Sequence, residues 1–427
     1  MAASAEVASA VYLTATETEP RTYGKQVMMG GVLDHLCDRL GDENVHLILV
    51  GKPDAPRPPT RYHRYVIAKP GAKAQVGALA RRVAGRPHTS IQEAAVYSPR
   101  IEHEIRALLA NIDADLELWD TIRMGQYAPA MPRKRRLLIQ DDLFSVRYRT
   151  MLREMSGPGS RAVNPLGDFH RMLPGPVRPI VSRKVVYRPL LRAEAHLVTE
   201  REMTQPTWFD ATLMVNAQET EKTRETTGLT NIYTMMPSLP EPAPRAREPI
   251  GSQFAFLGSL GYAPNADGLI WFLTHCRETV LNALPDFQLL VIGKGTDAGL
   301  PEAEPWGDHV RFLGWVDDLG ETLSHCSALL SVLRVASGIK IKVLEALSRG
   351  LPVVATPYGV EGTPVNEQNG CLVGSTPDEL AKLLVQAADP AQNSVLSAAA
   401  RATWEERYAR EAIRSSYDQL LGLTPRY

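Results

Sequence analysis

The densest set of residues able to do chemistry lies between Leu333 and Gly362, LRVASGIKIKVLEALSRGLPVVATPYGVEG. An apolar run, Ala328 to Leu333, enters a Ser337-Gly338 turn, and a helix-forming segment, Ile339 to Arg349, leaves it. The start of a helix presents N–H groups without intrahelical partners and a partial positive charge. Gly338 has no Cβ to hold a ligand away from the backbone. Arg334, Lys340 and Lys342 add full positive charges at the same turn. Together these suit an anion, and a diphosphate in particular. Glu345 lies three residues beyond Lys342. A carboxylate there can accept hydrogen bonds from vicinal hydroxyls such as those of a ribose. Singly, each residue is accounted for by a capped helix with solvated lysines. Their clustering beside a glycine turn is what points to a ligand.

The elements that must position this cluster follow a repeating rhythm. In the first half, apolar strand-like runs occur at Val11–Thr14, Val45–Val50, Leu116–Trp119, Arg136–Gln140 and Ala211–Asn216. Helix-forming stretches lie at Val27–Leu40 and near Ile101–Leu109. Residues 237–250, PSLPEPAPRAREPI, hold five prolines and cannot form a helix or a central strand. Beyond them come strands at Gln253–Leu257, Phe287–Ile292, Val310–Leu313, Ala328–Leu333, Pro352–Thr356 and Cys371–Val373. The intervening helices are expected at Asn265–Leu284, Leu319–Cys326, Ile339–Arg349 and Pro377–Ala388, with a last one from about Ala398 to Leu421. This alternation predicts an α/β protein with two Rossmann-like parallel-sheet domains facing a cleft. The expected division is 1–237, a Pro-rich linker 238–250, a second domain 251–400, and a C-terminal helix 401–427 crossing back to the first domain. The turns Gly258-Ser259 and Gly293-Lys294 fall at strand carboxyl ends, where ligands of such sheets bind.

Four segments, in order, resemble family 4 glycosyltransferases of the GT-B fold. They are FLGSLGYAPNADGLIWFL from Phe256, LLVIGKG from Leu289, VRFLGWVDDLGETLSHCSALLSVL from Val310 and SGIKIKVLEALSRGLPVVATPYGVEG from Ser337. The resemblance covers roughly residues 250–420. It implies transfer of a sugar from a nucleotide-diphosphate donor, UDP- or GDP-linked, with retention and without a bound metal or other cofactor. It implies that Glu345 holds the ribose, that Gly338 and Ile339 face the donor sugar and phosphates, and that Gly258, Ser259, Gly293 and Lys294 border the diphosphate. The region of Val316 would hold the base through its backbone. The family's first motif glutamate is here Ser337, and its Arg and Lys after the first strand of this domain are here Ser259 and Asn265. Charge for the leaving diphosphate must then come from Arg334, Lys340, Lys342 and Lys294. On the acceptor side the resemblance points to Gly24 and Lys25. Asp120 and Asp142, at strand ends of the first half, are further candidates, and each also reads as an ordinary helix cap or solvated strand end. A GT-B nucleotide-sugar epimerase and a non-catalytic partner subunit are the alternative readings.

The formal net charge of -1 conceals an asymmetry. Residues 1–200 carry 29 Lys/Arg and 21 Asp/Glu, whereas residues 201–427 carry 18 and 27. Residues 123–192 alone hold 15 Lys/Arg against 4 Asp/Glu. That region suits an anionic membrane face or a lipid-linked acceptor; solvated and internally paired arginines are the plainer account. Sparse aromatic residues within it argue against nucleic acid. Cys37, Cys276, Cys326 and Cys371 form no CxxC pair, so no zinc or redox motif is present. With no apolar run of membrane-spanning length and no signal-peptide pattern, the expected location is cytoplasmic, with peripheral contact at the inner membrane face.

Overall fold

The segments AVYLT and LELWD, apolar but for Thr14, Glu117 and Asp120, are buried at every residue in the middle of a sheet. This structure is a computed structural model that describes residues 7–21, 24–71, 75, 77, 89–154, 184–334, 338–363 and 367–423. Contacts divide the chain into two units, the first reaching Ser238 and also holding the C-terminal segment from Arg414, the second built mainly from Leu239–Ile413.

The first unit contains a seven-stranded sheet in the order β3-β2-β1-β4-β5-β6-β7. Its strands are β1 (Ala10–Thr14), β2 (Val45–Gly51), β3 (His63–Ala68), β4 (Leu116–Asp120), β5 (Arg135–Asp141), β6 (Ala211–Met214) and β7 (Ile232–Thr234). Every pairing is parallel. The edge strands β3 and β7 were not expected. Only Ile67 is buried in β3 and only Ile232 in β7, so neither gives the apolar run by which a central strand is recognised.

The second unit contains a six-stranded sheet in the order β10-β9-β8-β11-β12-β13, also all parallel. The strands are β8 (Gln253–Leu257), β9 (Gln288–Ile292), β10 (Val310–Gly314), β11 (Ala328–Ser331), β12 (Val353–Ala355) and β13 (Cys371–Val373). Its core packs Phe254, Phe272, Phe287 and Trp306 together, and the Trp306 indole donates to the Leu273 carbonyl at 2.9 Å. Two glycines set how closely the connections lie on the sheet. A Cβ on Gly268 would stand 1.8 Å from the Val332 carbonyl oxygen, and one on Gly359 would stand 1.8 Å from that of Ser331.

Three helices depart from expectation. Asn265–Leu284 is two helices, Ala263–His275 and Arg277–Ala283, with Cys276 ending the first and capping the second. The last segment is also two helices, Pro390–Arg407 and Arg410–Leu421; the N–H groups of Tyr408 and Ala409 both turn back to the Trp404 carbonyl between them. The helix after Gly338 begins at Ile341, not Ile339, and runs to Ser348. The four cysteines are free and buried. Among the described residues no helix is long and apolar enough to cross a membrane.

Candidate nucleotide-sugar site

In each sheet the strand order reverses beside its first strand, between β1 and β4 and between β8 and β11. Such a switch point opens a crevice at the carboxyl ends of the flanking strands. In the second unit these ends are Gly258 after β8 and Val332–Arg334 after β11.

The glycine turns there require glycine. Gly258 has φ 154°, and a Cβ on it would meet the Asn265 amide at 2.4 Å. Gly293 has φ 142°, and its Cβ would fall 2.5 Å from the Gly258 carbonyl oxygen. The two turns therefore stack directly, tied by Gly258 N–H donating to Ile292 O at 2.9 Å. Asn265, which replaces a basic residue of the resembling family, binds both sides of the crevice. Its Nδ2 donates to the Ser259 carbonyl at 3.1 Å, and its Oδ1 accepts from Lys342 Nζ at 2.9 Å. The Lys342 ammonium also lies 4.9 Å from the centre of the Phe256 ring. Although part of the Lys342 side chain keeps solvent contact, its ammonium is held down to about 7, first by desolvation and then by the charge of Lys340.

Gly338, at φ 67°, gives its carbonyl to Lys340 Nζ at 2.7 Å. The helix starts at Ile341, with buried Lys340 at its N-cap. Both lysines thus stand at the beginning of the helix. Glu345, on the same helix, accepts from Arg349 Nη2 at 2.6 Å. Arg334 is half exposed and 3.7 Å from Asp267. Ile339 is half-buried beside Gly338. Lys294 is exposed on its turn, and Val316 is half-buried just after β10, beside the exposed Trp315. Ser337 lies outside the described residues.

Sequence reasoning passed over Glu361. One of its carboxylate oxygens is buried without a hydrogen-bond partner, and burial raises its affinity for a proton against the opposing charge of Lys340. Its signal was its position in the loop after β12, at the same edge of the sheet.

The first unit collects a second cluster at the ends of β1, β4 and β5. Lys25 Nζ lies 2.6 Å from Asp120 Oδ1 and 3.3 Å from Asp141 Oδ2, while Thr14 Oγ1 donates to Asp120 Oδ2 at 2.8 Å. Burial works to lower the Lys25 pKa, but the two carboxylates outweigh it and the ammonium form is favoured. Gly24 opens the helix Gly24–Leu40 that carries Lys25. Of the adjacent carboxylates Asp141 and Asp142, it is Asp141 that joins Asp120 at Lys25. Asp141 has φ 61°, so the strand turns at that residue; Asp142 instead pairs with Arg147 at 2.5 Å.

Residues 251–389 match the family model described as Glycosyl transferases group 1. A stretch of 80 residues is 36% identical to a phosphatidyl-myo-inositol mannosyltransferase of Mycobacterium leprae, covering 18% of this chain and 21% of that protein. The chain thus spans about a fifth of the length of the curated relative it matches. Over 97% of its length it is similar to WaaG, a glycosyltransferase involved in lipopolysaccharide biosynthesis, at TM-score 0.61 and 15% identity, with all of that chain covered. It is similar to a sucrose-phosphate synthase from Thermosynechococcus elongatus at TM-score 0.63 and 14% identity, over 96% of this chain and 98% of that one. The Anabaena protein HepE in complex with UDP-glucose aligns at TM-score 0.59 and 11% identity, over 97% of this chain and 99% of that one. The chain therefore has the GT-B fold of two Rossmann-like domains, and within its second unit residues 251–389 are similar to the glycosyl transferases group 1 model.

Proposed function

We propose that the protein is a family 4 glycosyltransferase that moves a sugar from a UDP- or GDP-linked donor to a glycan or lipid-linked glycoconjugate acceptor, with retention and without a bound metal. The observation that carries this reading is the convergence of Lys340, Lys342, Asn265 and the Gly258 turn at one switch point, with Glu345 on the helix that carries Lys342. As the anomeric bond breaks, negative charge grows on the leaving diphosphate. Fixed positive groups in a poorly solvated site stabilise that charge more than water can. Lys340, Lys342 and the first N–H groups of the helix supply it, with Arg334 and Lys294 at the rim. Glu345 receives the ribose hydroxyls. HepE, similar in fold, is described with UDP-glucose, which supports a nucleotide-sugar donor.

The first unit takes the acceptor in this reading. Lys25, Asp120 and Asp141 orient its hydroxyl, and the donor diphosphate takes up the proton as it leaves, so no separate protein base is needed for retention. The location proposed is cytoplasmic, with peripheral membrane contact.

The test is incubation with UDP- and GDP-sugars in EDTA, with and without glycan or lipid-linked acceptors, measuring released nucleotide. Release is expected, and Glu345→Ala weakens donor binding by roughly 10- to 100-fold, the scale of hydrogen bonds to a charged group. Failure of every nucleotide sugar to shift the melting temperature would overturn the donor assignment.

A further inference from the structure

A cavity of about 570 Å³ lies within the second unit, on the opposite edge of the sheet from the glycine turns. Its lining includes Ser324, just ahead of β11, and Gly350, just ahead of β12. Four arginines line it, Arg245, Arg247, Arg349 and Arg401, with one lining carboxylate, Glu241. Pro242 and Pro244 supply a stiff apolar wall.

Two of the arginines approach each other beside a carboxylate: Arg349 Nη1, Asp318 Oδ1 and Arg245 Nε lie 2.9, 3.2 and 3.8 Å from the position a Cβ on Gly320 would take. Three of the four have carboxylate partners: Arg245 with Asp318 and Glu321, Arg349 with Glu345, and Arg401 with Glu405. Arg247 forms no ion pair with a carboxylate among the described residues. Its terminal nitrogens donate to neutral groups, Asn393 Oδ1 at 3.1 Å and the Cys326 carbonyl at 2.7 Å, and its Nε is buried with no hydrogen-bond partner. Desolvation pulls its pKa down to about 10. A largely buried cation that lines a cavity and has only neutral partners is in an unfavourable position that an anion relieves. Guanidinium groups match phosphate oxygens in geometry as well as charge.

We propose that this cavity binds a phosphorylated small molecule, with the phosphate on Arg247 and the other lining arginines and the organic part against the proline wall. We infer further that Arg349 couples the cavity to Glu345. The helix Ile341–Ser348 is about 12 Å long at 1.5 Å per residue. Its N-terminal end is at the glycine turns and its C-terminal end at the cavity. Arg349 holds Glu345 at 2.6 Å, so a phosphate that draws on Arg349 alters the carboxylate that receives the ribose. This second step rests on the donor reading above; the binding step does not.

The full chain is titrated calorimetrically with inorganic pyrophosphate and with a hexose 6-phosphate, in saturating UDP and again as Lys340→Ala. Saturable binding of at least one probe is expected. It weakens about tenfold or more in Arg245→Gln and in Ser394→Asp, which places a negative charge in the lining, and persists in Lys340→Ala. Binding of neither probe, binding untouched by both cavity variants, or binding lost in Lys340→Ala overturns the site. The coupling predicts that the bound probe shifts KM for the nucleotide sugar about fivefold in the unmodified chain and leaves it unshifted in Arg349→Gln, with kcat spared. Probe binding without a KM shift overturns the coupling alone. Absence of any nucleotide-sugar binding refutes the donor reading, while the calorimetry still decides the cavity.

Discussion

Lys342 makes the donor reading testable by proton counting. In the free protein its ammonium titrates near 7, so at pH 8 much of it is neutral. A diphosphate beside it favours the charged form and raises its pKa. Nucleotide binding at pH 8 is therefore expected to take up roughly one proton, and at pH 6 almost none. Calorimetry in buffers of different ionisation enthalpy measures this; equal uptake at both pH values removes Lys342 from the site. At this scale the sequence was informative where residues were close along the chain. The spacing of Gly338, Lys340, Lys342 and Glu345 could be read directly. The link from Lys342 through Asn265 to Ser259 could not, because it joins two strand ends that only the folded sheet brings together. Nor could the pairing of Asp141 with Lys25, which depends on the left-handed backbone at Asp141.

Two helices of the first unit begin on buried carboxylates that come from a third helix, Lys184–Thr204. Glu194 accepts from Ile91 and Gln92 N–H at 2.7 and 3.1 Å, at the start of Ile91–Val96. Glu202 accepts from Ser145 N–H near the start of Phe144–Glu154. Burial outweighs these bonds, raising Glu194 to about 7 and Glu202 to about 8. The folded state then holds protons that the unfolded state releases above its carboxylate pKa of about 4.5. Stability is therefore expected to fall as pH rises from about 4.5 to about 8 and to level off beyond, for these groups. Scanning calorimetry should show a shallower decline of Tm between pH 6 and 8.5 in Glu202→Gln; an unchanged slope contradicts the assignment. Helix and strand identity was largely legible from apolar periodicity. The breaks at Cys276 and Tyr408 were not, because backbone N–H groups turning back one helical turn leave no mark in residue type.

The charge asymmetry of the whole chain looks different once contacts are known. Within the densest basic stretch, Arg133 pairs with Asp210, Lys134 with Asp113, and Arg136 donates to the Ala128 and Pro132 carbonyls. Part of the basic excess thus ties the first unit together. Arg133 nonetheless leaves two thirds of its side chain exposed, so the segment keeps positive potential for an anionic surface. Sedimentation with vesicles containing about a third anionic lipid tests the membrane proposal: binding should weaken steeply from 50 to 300 mM salt, as exposed basic residues require. Equal sedimentation with neutral vesicles would rule out the electrostatic contact. Charge totals could suggest such a surface, but which arginines are already engaged is decided by strand order, which brings Arg136 of β5 beside Asp210 just ahead of β6.

The helix Arg410–Leu421 has a consequence for how the chain is made. From Arg414 onward it belongs to the first unit, where Asp418 meets His35 at 3.0 Å and Arg39 at 2.9 Å, and Tyr417 donates to the Met236 carbonyl at 2.7 Å. During synthesis nearly all of the first unit emerges before the second, yet it lacks this helix until the second has been made. The earlier half of the protein is then the later to be completed. Until that helix arrives, the face around His35 and Arg39 waits uncovered on the ribosome, the interval in which a chaperone has most to hold.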